Sequence, residues 1–323
     1  MNTSLPRRAV FGAAMSVPWA SPPLAQSRAS VRIIVPYPPG GTVDATARFI
    51  GARAAEILQQ SWVIESRSGA NGAIGADAVV RSPPDGSTLL YSNEVLLMLR
   101  HVQRNVPFNA VTDLSPIVRT AIVPQILVGS PRHVNETTLP ALLDAIRRQP
   151  ATFTFATPTL GSLGQFGAAA LGHALGVDLT IVPYRGTAPA IADLLAGAYK
   201  LIISPAGGVL PLIRDGQLRA FAVCSRERIA ALPDVPTLVE SGFPELWFES
   251  WTGMWGPRGL PVSIAARTHM AVTAATNEPE NARRIMELGC LPINEPMERM
   301  PEVIAAEEAR NPILVRLARM TPE

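Results

Sequence analysis

The sequence predicts an α/β protein of two units, and three observations predict it. Runs of β-branched and apolar residues alternate with stretches of helical spacing from residue 31 onward. The alternation lapses around residues 100 to 120 and then starts again. In each unit one apolar strand ends in a loop bearing Pro and Gly and runs at once into a helix. A chain of 323 residues has room for two domains with a core each.

The first segment differs in kind from the rest of the chain. Arg7 and Arg8 precede AVFGAAMSVPWA, and SPPLAQS comes next with small residues around Ala25. A positive end, a short apolar stretch and a small-residue exit make residues 1–25 an export signal, cleaved near Ala25. Pro18, Pro22 and Pro23 oppose a buried helix there. The Arg pair leaves both the general and the twin-arginine export routes open. The leader holds no Cys, so it offers no lipid anchor.

In the first unit VRIIVPY reads as a buried strand, followed by the helix DATARFIGARAAEILQQ with apolar residues at helical spacing. WVIESR is a short strand, GANGAIGADAVVRS a Gly-rich loop passing into a helix, and STLLYSN a third strand. That order implies a parallel sheet covered on both faces. A linker is expected around residues 100 to 120. The second unit runs helix TLPALLDAIRRQ, strand TFTFAT, helix QFGAAALGHALG, strand LTIVPY and helix APAIADLLAGA. It closes with strand KLIISPA, short helix GVLPLIRDG and strand LRAFAVCS. Helices near 261–276, 279–289 and 299–319 complete the chain.

Composition excludes several classes. No stretch reaches the ~18 uninterrupted apolar residues of a membrane span. Without the leader the chain keeps 26 basic residues against 26 acidic ones, and no basic run carries interleaved aromatics, so no nucleic-acid partner is implied. Export permits a disulfide between Cys224 and Cys290, but Cys224 lies in an apolar run where a small buried thiol is commoner, and two free cysteines are expected.

The two loops carry the functional reading. Pro38, Pro39, Gly40, Gly41 and Thr42 occupy the first; Thr157, Pro158, Gly161, Ser162 and Gly164 occupy the second. Glycine lets the backbone approach a ligand, and the first N–H groups of a helix have no partner within it. With the helix dipole behind them they accept a carboxylate or phosphate without any charged side chain. Either loop alone is ordinarily a turn; two of them, one per unit, point to a cleft between domains. Asp44 serves the helix start or receives a ligand ammonium, and Arg48 one turn on pairs with an acid of its own helix.

Enzyme signatures are scarce. There is no G-x-S-x-G, no P-loop, no H-E-x-x-H and no Cys pair at zinc spacing. GANGAIG has the wrong glycine spacing for a dinucleotide fingerprint, which, with the leader, opposes a cytoplasmic nucleotide enzyme. His101, His133, His173 and His269 are scattered. No cofactor and no metal are implied. The rival class is an exported hydrolase with Ser162 as nucleophile and His173 as base, although no acid partner is evident.

VPYPPGGTVDATAR, SGANGAIGAD, LGSLGQFGAAAL, VPYRGTAPAIADLLAG, LPDVPTLVESGFP and SWTGMWGPRGLP are similar to successive blocks of the tripartite tricarboxylate transporter substrate-binding proteins. These are periplasmic receptors abundant in Bordetella and its relatives, and the likeness runs from about Val31 to the end. The resemblance implies a two-domain Venus-flytrap, periplasmic-binding-protein-like fold: residues 27–125 plus 248–323 in one domain, 126–247 in the other, a ligand cleft between them. It implies a small carboxylated solute: a di- or tricarboxylate, an acidic amino acid or an aromatic acid. The solute is gripped by Pro39, Gly40, Gly41, Thr42 and Asp44 and by Thr157, Gly161 and Ser162, with Asn71, Ser92, Ser204 and Ser250 as wall residues. The recipient it implies is a membrane transporter with large and small integral subunits, or else a membrane sensor. One departure stands out: GAYK replaces the family's G-x-V-D, and Lys200 is the only Lys of the chain. It is either a solvated strand end or a cation near the cleft that favours a more anionic solute.

Overall fold

A computed structural model describes Met1 and residues 30–158, 161–184 and 186–318. The export segment expected over residues 1–25 therefore lies, Met1 apart, outside the described residues. No helix among the described residues is long and apolar enough to cross a membrane.

The first unit opens β1 (Ser30–Val35), α1 (Thr42–Leu58), β2 (Ser61–Ser66), α2 (Ala73–Val80) and β3 (Thr88–Asn93). Next come α3 (Val95–Val102), a single turn α4 (Ala110–Asp113) and the 16-residue strand β4 (Leu114–Gly129). The second unit runs α5 (Leu139–Arg148), β5 (Phe155–Thr157), α6 (Leu163–Leu175), β6 (Ile181–Pro183), α7 (Thr187–Ala196), β7 (Leu201–Pro205), α8 (Ala206–Arg214) and β8 (Arg219–Val223). The chain then returns through β9 (Glu249–Pro257), α9 (Val262–Asn277), α10 (Pro279–Glu287), β10 (Leu291–Pro292) and α11 (Met300–Leu317).

One sheet connects everything, in the order β2-β1-β3-β9-β4-β7-β5-β6, with β10 and β8 also paired to β4. β1 lies parallel to β2 and β3, Ile33 facing Ile64 on one side and Leu89 on the other. β5 likewise lies parallel to β6 and β7. Between these parallel triplets β9 and β4 run antiparallel to their neighbours. The three strands of the first unit thus pair in parallel, as their alternation with helices implied, and the sheet as a whole is mixed because β9 and β4 join it antiparallel.

The linker expected around residues 100 to 120 is instead the end of α3, α4 and the first half of β4. Pro116, Arg119, Thr120, Pro124 and Gln125 hide this strand from a pattern search. Its register against β9 shifts near Pro116 and again after Arg119, the irregularity a strand needs to carry proline. Pro124 is the last β4 residue paired with β9, and Gln125 the first paired with β7. The strand changes partner at a residue that has no N–H to give.

Alternate residues fill cores on opposite faces, as strand pleating requires. Ile33 and Val35 pack under α1 and α9 with Val272 and Ala275, while Ile34 packs on the other face with Leu96, Trp255 and Ile304. In the second unit Leu201 and Ile203 pack against α6 with Phe166, and Ile202 against α7 and α8 with Leu194 and Val209. Two helices belong to both halves. α3 gives Leu96 and Leu99 to one core and Met98 and Val102 to the other, and α11 gives Met300 and Ile304 to the first and Leu314 to the second. Cys224 and Cys290 are buried and free, in different cores.

Candidate functional site

A cleft of about 570 Å³ opens at the carboxyl ends of the parallel strands, where Tyr37 follows β1, Asn93 ends β3, Pro158 follows β5 and Pro205 ends β7. That is the edge at which open α/β sheets bind ligands. Its volume suits a small molecule.

The two loops meet there, and they are built alike. α1 has Gly41 as its N-cap and α6 has Ser162, both extended in backbone. The residue before each cap is a glycine with positive φ, Gly40 at 89° and Gly161 at 74°, a conformation other residues rarely adopt. In each, the third helical residue reaches back. Asp44 Oδ2 accepts from the Gly40 N–H at 2.9 Å, and Gln165 Oε1 accepts from the Gly161 N–H at 2.7 Å. These bonds reach one residue beyond the N-cap that a capping box would bond, and they take the glycine donors out of play. What each loop turns to the cleft is the next stretch: Gly41, Thr42 and Val43 on one side, Ser162, Leu163 and Gly164 on the other. The opening N–H groups of a helix have no acceptor within it.

The pair is part of a larger set. The N-cap residues of six helices line the same cleft: Gly41 of α1, Gly72 of α2, Glu94 of α3, Ser162 of α6, Gly186 of α7 and Pro205 of α8. Each contributes the positive end of a dipole. Among the described residues lining the cleft only Asp44 and Glu94 carry charge, and neither is a cation. Asp44 is committed elsewhere: Arg48 grips it through Nε at 3.0 Å and Nη2 at 2.9 Å. That guanidinium, helped by Gly40 and Ser66 and opposed by burial, holds the carboxyl below the usual carboxylate range. Asp44 therefore anchors the loop and is not placed to receive a ligand ammonium. Arg48 pairs with an acid of its own helix, as its spacing indicates.

Of the other expected contacts, Gly41, Thr42, Asn71, Gly161, Ser162 and Ser250 line the cleft. Pro39 and Gly40 flank it without lining it. Thr157 is fully buried behind the second loop, its Oγ1 2.5 Å from the Ser162 Oγ, so it holds the cap in place. Ser92 and Ser204 are fully buried within their strands, behind the wall, and their hydroxyls have no hydrogen-bond partner among the described residues. Strand alternation hid this, because a hydroxyl near a strand end faces the cleft or the core by one register step.

Lys200 is not near the cleft. It precedes β7, whose opposite end at Pro205 reaches the cavity, and its Nζ lies 4.7 Å from the centroid of the Phe153 ring. Lys200→Ala is therefore expected to leave affinity for any bound acid within about twofold by calorimetry; a loss of about tenfold would return the ammonium to the site. The hydrolase arrangement is absent as well. Ser162 Oγ is occupied as a helix cap, accepting from the Gln165 N–H, and His173 sits 11 residues on, roughly 16 Å along α6, on the wall of other cavities.

Sequence reasoning missed Tyr37, Asn93, Glu94, Gln125, Gly186 and Thr187 of the lining. Gly186 and Thr187 carried a usable signal, since a Gly two residues beyond LTIVPY opens α7 just as Gly41 opens α1. Glu94 stood out only as a lone acid inside LLYSNEVLLML. It is 4% exposed and accepts from the Ser250 hydroxyl at 2.6 Å and from the Trp251 N–H at 3.0 Å. Burial outweighs those bonds, and with the Glu307 carboxylate beyond them lifts its pKa to about 7. A larger groove, about 780 Å³ between α6, α11 and residues 242–247, is walled by Phe243, Leu246 and Ile313, and no helix N-cap opens into it.

The chain is similar over most of its length to known proteins. The family model described as tripartite tricarboxylate transporter family receptor matches residues 46–318. The solved structure of R. palustris Rpa4515 with adipate is 31% identical, covers 91% of this chain and 98% of its own, and superposes with a TM-score of 0.81. The periplasmic binding protein BugD is 27% identical over 91% of this chain and 99% of its own, with a TM-score of 0.78. MatC (Rpa3494) from Rhodopseudomonas palustris with bound malate is 28% identical, covering 88% of this chain and 98% of its own, with a TM-score of 0.75.

Proposed function

Because the chain belongs to the tripartite tricarboxylate transporter receptor family, a family of solute-binding and not catalytic proteins, we propose that it captures a small organic acid in the cleft between its two halves and hands it to a membrane transporter. The solute is a di- or tricarboxylate, an acidic amino acid or an aromatic acid. Adipate and malate, held by two relatives, both fall in the first class. The recipient has large and small integral subunits, and the receptor works in the periplasm after cleavage near Ala25.

One observation carries this reading: N-caps on α1 and α6, from opposite halves of the chain, line the same cleft, with no cation among its described lining residues. Donors fixed in the main chain recognise an oxyanion and leave the rest of the molecule to the walls. The bodies that close are residues 27–125 with 248–323 and residues 126–247, turning about β4 and about the return into β9. The acid stabilises the closed form because only there do both sets of donors reach it.

A thermal-shift screen of adipate, malate, citrate, glutamate, aspartate and benzoate tests the proposal. A true ligand at 100 times its dissociation constant adds about 2.7 kcal/mol of stability. If no acid of any of these classes raises the melting temperature at millimolar concentration, the receptor assignment fails.

A further inference from the structure

Of the two acids that line the cleft among the described residues, Asp44 is held by Arg48 and Glu94 has no ion-pair partner. Glu94 is the N-cap of α3 at the carboxyl end of β3, and the two hydrogen bonds its carboxyl accepts from other described residues both fall on Oε2. Their donors, Ser250 and Trp251, open β9 just after the chain returns from the second half, and Gln125, where β4 changes partner, lines the same wall. Glu94 thus stands where both connecting strands cross. Resting on the organic-acid reading above, we propose that Glu94 is a specificity residue that holds a proton on Oε1 and donates it as a hydrogen bond to a second carboxylate of the bound solute, so that capture takes a proton from solution.

The surroundings favour the neutral acid. From the segment after β1, Tyr37 faces Glu94 with its hydroxyl already donating to Asn93 Oδ1 at 2.5 Å. From α11 comes the Glu307 carboxylate, paired with Arg310, while Arg119 of β4, which also acts on Glu307, is paired with Glu295. On β9 Glu249 accepts from the Arg226 N–H, and on α1 Asp44 belongs to Arg48. Among the described residues no ion pair is formed by Glu94. A pKa near 7 keeps the proton mostly in place below neutrality and half removed at it, so capture near and above neutrality takes one up. A ligand carboxylate within hydrogen-bond reach raises it further, because two carboxyl groups in contact cannot both be ionised. Above neutrality Glu94 ionises, its donor becomes an acceptor, and two like charges meet. Affinity therefore falls as pH rises.

Calorimetry with adipate and malate tests this on the full-length mature chain. Between about pH 6 and about pH 8 affinity is expected to fall about tenfold, as one pKa unit of ionisation requires. Titrations in buffers of different ionisation enthalpy should show proton uptake at the alkaline end. Glu94→Gln supplies an amide N–H in place of the acid proton and an amide oxygen for Ser250 and Trp251, so the variant should bind with little pH dependence. Wild-type affinity that is flat with pH and takes up no proton overturns the inference, whatever the variant does. If the wild type binds neither adipate nor malate nor any other acid of the screen at any pH, the receptor reading itself has failed and the inference falls with it.

Discussion

Thr42→Pro is expected to weaken binding of the captured acid by about 10–100-fold while leaving the fold intact. Thr42 is the first residue of α1, in the turn whose N–H groups make no helix bond and at the position proline favours. The preceding Gly41, at φ −78° and ψ 169°, already has the extended backbone that a following proline demands. The Thr42 carbonyl still accepts from the Thr46 hydroxyl. What disappears is one N–H and one hydroxyl on the cleft wall. A hydrogen bond to a charged group is worth about 1.5–3 kcal/mol, which sets the size of the loss. Calorimetry on the variant, beside a melting curve without ligand, separates binding from stability. Normal affinity would mean that this donor never reaches the solute, and the main-chain grip on that side would have to be abandoned.

Gly164→Ala is expected to cost roughly 3 kcal/mol of stability and to abolish binding as well. A Cβ at Gly164 would lie 2.2 Å from the carbonyl oxygen of Ile203. That oxygen is backbone in β7, a strand fixed between β4 and β5, so it has nowhere to retreat. The start of α6 must move instead, carrying Ser162 and Leu163 out of line with the opposite loop. Denaturant titration reads the first effect and calorimetry the second. An unchanged denaturation midpoint would show that helix and strand are not in close contact here.

The parts of the fold legible from residues alone were those with a strong period. β1, α1, α5, α7 and the three C-terminal helices lie close to where apolar spacing puts them, because their buried positions recur at the strand or helix period. β4 and β9 escaped for a physical reason. They connect the two halves, so they carry prolines, polar residues and shifted registers where an ordinary buried strand carries valine and isoleucine. The site divided in the same way. Gly41, Thr42 and Ser162 could be found because helix starts have a chemical signature. Ser92 and Ser204 misled because a hydroxyl beside a strand end does not declare which way it points. Glu94 was passed over because an acid in an anion cleft contradicts simple charge matching; only its burial, and the resulting pKa near 7, makes it intelligible.

Six helix starts converging on one cavity have a consequence for how such receptors diversify. Attraction that arises from peptide dipoles is inherited with the backbone trace and does not depend on any one codon. On the proposed reading, drift exchanges the surrounding side chains, and with them the preferred nutrient, without removing the main-chain donors that would hold an acid. A lineage with this architecture can multiply into many receptors of differing taste from a single ancestral trap.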